Sequence, residues 1–114
     1  MNIVLAAVLL GNLTVTSYQP VSKQTDSSPT WTSIGDRTTK FGVAVSQDLL
    51  KSGKVKYGDI LYIPGFGYRV VNDCMHKRMT NHIDLLVFTH AEEKRVGTRH
   101  LKVYVVREGV HESN

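Results

Sequence analysis

The sequence predicts a mainly β fold, a small closed barrel of roughly six strands with one or two short helices. Three observations carry this. Short runs of β-branched and aromatic residues recur along the chain, long helical periodicity is scarce, and Gly, Pro, Ser and Asp punctuate the runs. A length of 114 residues leaves room for one core and no second one.

The elements follow in order. The apolar opening, "MNIVLAAVLLGN" (1–12), reads as a buried segment or a degenerate export leader. It is too short for the roughly 20 residues that span a bilayer, and it lacks a basic start and a small-residue cleavage site. "LTVTSY" (13–18) alternates and predicts a strand. A long polar loop, 19–40, is rich in Ser, Thr, Asp and Pro, and a loop of that length in so small a domain points to function. "FGVAVS" (41–46) predicts a buried strand and "QDLLKSGK" (47–54) a helical turn ended by Gly53. "ILYI" (60–63) and "YRVV" (68–71) predict a hairpin about the Pro-Gly-x-Gly turn between them. "HIDLLVFT" (82–89) predicts a strand, "HAEEKRVG" (90–97) a helix stopped by Gly97, and "HLKVYVV" (100–106) a strictly alternating last strand. The barrel is thus expected over 13–106, followed by a polar tail at 107–114.

Composition narrows the function classes. Hydrophobic residues at 41% and charged residues at 21% describe a globular chain and exclude a disordered one. A net charge of +4 suits an anionic partner or simply keeps the domain soluble. One cysteine, Cys74, excludes an internal disulfide, so the core alone must hold the fold.

The chemistry concentrates in "NDCMHKRMTNHID" (72–84). Cys74, His76, His82 and Asp84 are permitted zinc ligands, but C-x-H-x5-H-x-D fits no usual zinc spacing, so neither a metal nor another cofactor is expected. A Cys74–His76 nucleophile is another reading, and a plain solvated loop is the bland one. The carboxylates offer more. Asp73 ends one strand and Asp84 sits in the next, so both can face one cleft. Neighbouring carboxylates raise one another's proton affinity, which suits a general acid at a glycosidic oxygen.

The blocks "TVTSYQP", "QTDSSPTWTSIG", "VAVSQDLL", "YGDILYIPGFGYRVVND" and "NHIDLLV…A…G", in this order, resemble the 3D domain. That family is named for three aspartates and is related to the barrel domain of MltA-type lytic transglycosylases. The likeness covers residues 13–106 and implies a double-psi β-barrel. It places the family's catalytic aspartate on Asp73 and its partner on Asp84. The third aspartate's block reads "AVSQDLL", with Ser46 in the aspartate's place and Asp48 two residues on as a substitute. Where the family has "D-T-G-G", this chain has "D-C-M-H". The family's "T-x-Y" segment falls on Thr16, Ser17 and Tyr18, and its "Q-T-D" on Gln24, Thr25 and Asp26. Those residues are expected along the cleft wall; in the absence of a site they are loop caps.

The resemblance implies a cofactor-free lyase of the periplasm or cell wall, cleaving the MurNAc–GlcNAc bond of peptidoglycan glycan strands with a 1,6-anhydro product. A phage-type endolysin or a remodelling enzyme fits that description. Lys77, Arg78 and Arg99 are candidates to attract anionic stems. Two rivals stand beside it. One is a non-catalytic, expansin-like polysaccharide-binding barrel, favoured by the missing first aspartate and glycine pair. The other is a nucleic-acid-binding barrel, which the polar Thr/Asp loop does not suit. A monomer without nucleic acid or stable membrane insertion is expected.

Overall fold

The computed structural model describes residues 2–20 and 41–111, with side chains described for 5–20 and 41–107. Strands β1 (Asn2–Tyr18), β2 (Gly42–Val45), β3 (Ile60–Ile63), β4 (Gly67–Cys74), β5 (His82–Leu86) and β6 (Arg99–His111) close into a barrel in the order β1-β5-β2-β4-β3-β6. Two short helices accompany them, α1 (Gln47–Lys51) and α2 (His90–Val96). The expected mainly β, six-stranded barrel with two short helices is therefore present. Pairs β1–β5 and β2–β4 are parallel and the other four antiparallel.

The alternation in the sequence becomes an inside and an outside. Val15, Val43, Val45, Leu61, Ile63, Val71, Ile83, Leu85 and Val103 have no exposed surface and fill the interior. Each such side chain contributes about 1.5–3 kcal/mol by leaving water. The β3–β4 hairpin turns where the sequence placed its turn, with Gly65 and Gly67 at positive φ.

Helix α2 starts one residue after Thr89, which the sequence had assigned to the preceding strand. Strand β5 ends at Leu86 because Thr89 is committed to a capping box. Its hydroxyl accepts from Glu92 N–H at 3.1 Å, and the Glu92 carboxylate accepts from Thr89 N–H at 3.1 Å.

The two ends of the described chain depart from expectation together. β1 is continuous from Asn2, with no boundary at residue 12, and β6 runs to His111 through the expected tail. Beyond Ala7 and Val106 these strands pair only with each other, as a two-stranded ribbon that stretches the molecule to 57 Å against 29 and 27 Å. Leu5 is 69% exposed and Val8 and Leu9 each 52%. Residues 5–9 thus form a strand that is not buried, with β6 its only paired neighbour along this stretch among the described strands. A register shift at Leu10 marks where β1 enters the barrel, and Leu10, Leu13 and Val15 are buried in the core.

Candidate functional site

Strand register builds the site. Thr16 on β1 stands opposite Asp84 on β5, Asp84 opposite Ala44 on β2, and Ala44 opposite Asp73 on β4. Directly opposed residues share a face, so Thr16, Asp84, Ala44 and Asp73 form one row across four strands, outside the core that Val43, Val45, Ile83 and Leu85 fill. The two aspartate backbones are separated by the width of β2, roughly 10 Å across two strand spacings. Ala44 between them has no bulk, and a cavity of about 360 Å³ opens over it, lined by Tyr18, Asp73, Asp84, Cys74, His76 and Met79 among others.

A bulge puts Asp73 in that row. Val43 pairs with Val71, but Ala44 pairs with Asp73, leaving Asn72 as an extra residue. In a regular strand Asp73 would follow Val71 into the core, since residues two apart share a face. The extra residue turns it outward instead. Asn72 is buried and lies against Gly42, where an added Cβ would come within 2.7 Å of its side chain. Its Oδ1 finds no hydrogen-bond partner among the described residues.

The electrostatics distinguish the acids. Burial pushes the Asp84 carboxyl above its ordinary range, partly offset by the Thr16 hydrogen bond and by His82. Thr16 Oγ1 donates to Asp84 Oδ1 at 2.9 Å and lies 2.7 Å from His82 Nε2. One hydroxyl proton cannot serve both bonds, so with that donation His82 Nε2–H donates to Thr16 Oγ1. Asp73 Oδ1 accepts from Cys74 N–H at 2.8 Å. The Tyr18 hydroxyl is driven far above its usual value, first by burial and then by the charges of Asp73 and Asp84, with Arg69 opposing. It therefore remains an O–H donor beside both carboxylates.

Asp48 is used differently. It sits in the first turn of α1, and its Oδ2 accepts from Asn81 N–H at 3.1 Å. Burial raises its proton affinity, but hydrogen bonds from Ser46 and from the Asn81, Asp48 and Leu49 amides outweigh that, so its carboxyl lies below the usual range. It is not among the residues lining the cavity. Ser46, which is fully buried, accepts from His82 N–H at 3.1 Å. Together with Gln47 Nε2 to Met75 O and Met75 N–H to Val45 O, these bonds pin the 75–81 loop to α1 and β2 at the cavity's edge.

The structure brings Asp73, Asp84, Thr16 and Tyr18 together. Lys77 and Arg78 stand exposed on the loop whose His76 and Met79 line the cavity. Arg99 lies elsewhere, donating to Val96 O and Arg95 O at the end of α2. Gln24, Thr25 and Asp26 fall outside the described residues. Sequence reasoning missed Ala44 and the Asn72–Gly42 contact, for which only an apolar strand residue and an isolated glycine were visible. Among the described residues no three His, Cys, Asp or Glu side chains group as a metal site. Comparison with known proteins yields no matching family model and no matching curated protein.

Proposed function

We propose that this barrel is a peptidoglycan lytic transglycosylase of the 3D-domain type, working at the periplasmic or cell-wall face as an endolysin or remodelling enzyme. The observation that supports it most is the bulge that aims Asp73 outward to share a cavity with the half-buried Asp84. At about 360 Å³ the cavity falls within the ~300–1,000 Å³ of ligand pockets.

In this reading Asp73 gives its proton to the glycosidic oxygen as the bond from the MurNAc anomeric carbon breaks. The sugar's own 6-hydroxyl closes on that carbon, and its proton returns to Asp73, so acid and base are one group. Asp84, held by Thr16, supplies negative charge near the developing cation. Tyr18 offers a permanent O–H to a sugar oxygen, and Lys77 and Arg78 draw in anionic stems.

The test is mass spectrometry of purified peptidoglycan after incubation with the wild type and with Asp73→Asn. Anhydro-muropeptides from the wild type, absent with the variant, are the expected result. Fragments from neither protein, with both still sedimenting with the polymer, would instead identify a binding barrel.

A further inference from the structure

The proposed reaction needs one carboxyl protonated and its neighbour charged, yet burial presses a proton onto Asp84, the carboxyl assigned the charge. A group that draws this proton away lies behind Asp84. His82 is two residues earlier on β5, so the two side chains share a face, and Thr16 on β1 stands directly opposite Asp84. The Thr16 hydroxyl bridges them, 2.7 Å from His82 Nε2 and 2.9 Å from Asp84 Oδ1. His82 is not among the residues lining the cavity, so the imidazole backs Asp84 without facing a substrate.

His82 is also held firmly in place. The buried Ser46 binds both of its backbone groups, donating N–H to His82 O at 2.9 Å and accepting His82 N–H on Oγ at 3.1 Å. Asn81, just before it, has φ of +47°, a left-handed conformation that asparagine adopts more readily than most residues. Its N–H is held by Asp48 Oδ2 at 3.1 Å. Ser46 and Asp48, neither of which lines the cavity, thus fix the start of β5 and set the imidazole against Thr16.

We propose that His82 is the positioning residue that keeps Asp84 ionised, by accepting its proton through the Thr16 hydroxyl. The purpose of this relay rests on the transglycosylase reading; its chemistry does not. A proton on Asp84 Oδ1 passes to Thr16 Oγ1 as the hydroxyl's own proton passes to His82 Nε2. Carboxylic acid and imidazole become carboxylate and imidazolium, and the hydroxyl is restored. An imidazole is ordinarily the stronger base by roughly two to three units, so the exchange runs toward His82. With Nε2–H in place the Thr16 proton points at Asp84, so the carboxylate keeps its donor even after the ring gives up Nδ1–H. Other groups bear on the pair from the elements around it. Asp73 across Ala44 opposes a charge on Asp84, and the Tyr18 hydroxyl favours one. Cys74 and His76 line the same cavity, with Lys77 and Arg78 next along the loop. Asp48 is joined to Asn81, and His100 lies 3.4 Å from the Thr14 hydroxyl one pair along β1. These act on Asp84 through space, whereas Thr16 touches both partners, so removing its hydroxyl separates the relay from the surrounding field.

Carboxyl 13C NMR of the full chain across pH reads the charge on Asp84 directly. Thr16→Val keeps the volume and removes the hydroxyl, and Thr16→Ser keeps the hydroxyl. The Asp84 midpoint is expected to rise by about one unit or more, a tenfold gain in protonated fraction, in Thr16→Val and in His82→Phe. Thr16→Ser should stay close to the wild type, which also shows that the position tolerates change. In the double variant Thr16→Val/His82→Phe the two rises should not add, because each breaks the same chain. Additive rises would show His82 acting through space and overturn the relay. So would an unmoved midpoint in His82→Phe, or ring 15N shifts placing no proton on His82 Nε2 near neutrality. If the wild type releases anhydro-muropeptides, the acidic limb of its pH profile should move up with the Asp84 midpoint in Thr16→Val and stay put in Thr16→Ser. A limb that ignores the midpoint would overturn the role in the reaction. If the wild type releases none, the transglycosylase reading falls and the carboxyl titration still decides the relay.

Discussion

Two concave surfaces among the described residues differ in nearly every respect. The larger, about 550 Å³, lies between the ribbon and the β3–β4 hairpin and is lined by aliphatic and tyrosine side chains. The smaller, about 360 Å³, lies over Ala44 and gathers two carboxylates, a tyrosine, a thiol and a histidine. Volume alone would point to the former, yet acid–base chemistry is available only in the latter. The larger surface is a regular sheet whose outward residues happen to be apolar. The smaller depends on irregularity: a bulge, a buried amide oxygen without a partner among the described residues, and a carboxyl held where its charge is disfavoured. Such local costs are expected where a site is built and have no counterpart in the regular apolar sheet.

Leu85→Ala would break both surfaces at once. Leu85 is fully buried beneath Asp84, and its loss should cost about 2–5 kcal/mol in urea unfolding. A smaller effect would mean that the barrel interior closes over the gap. Gly42→Ala separates the two regions. Its Cβ would press on the buried Asn72 amide, so about 1–3 kcal/mol of stability should be lost together with the site's geometry. The ribbon should be untouched. Combining it with Asn72→Ala should recover part of the loss, and strict additivity would show that the two positions are not coupled.

The Asp84→Asn change has the opposite sign. A carboxyl whose folded proton affinity is raised is most stabilising when protonated. Stability is therefore lost as pH rises from the ordinary value of 3.8 through the elevated folded value. The neutral variant escapes that loss, so its melting temperature should exceed the wild type's near neutrality and converge on it below 3.8. A variant less stable at neutral pH would mean that the Thr16–Asp84 bond outweighs burial. The smallest change is expected at Tyr68→Ser. Tyr68 is 61% exposed, so thermal melts should shift by less than about 0.5 kcal/mol in equivalent stability. A larger loss would show that the tyrosine cluster already serves the single chain.

The sequence disclosed what depends on local pattern. Turn chemistry at 64–67, the Gly97 stop and the alternation of 100–106 each need only neighbouring residues, and each lies where expected. Asp73 and Asp84 were visible as a pair because one loop joins their strands. The bulge at Asn72 was not, since it exists only relative to β2, a partner nearly thirty residues earlier in the chain. Asp48 looked like a substitute acid by position, but its carboxylate holds the Asn81 amide, a contact between segments that sequence spacing does not reveal. The exposure of residues 5–9 was hidden for a related reason. An apolar run reads as buried until it is known how many strands lie beside it.

The antiparallel ribbon also places Asn2 directly beside His111. The two ends of the described ribbon thus lie side by side, so a short peptide bridge between them could make the barrel's backbone circular. New ends could then be opened in the exposed turn at 52–54 without breaking a strand. By the same geometry the barrel could be carried as an insert within a surface loop of another protein, hanging from two adjacent strands like a bead on a doubled thread.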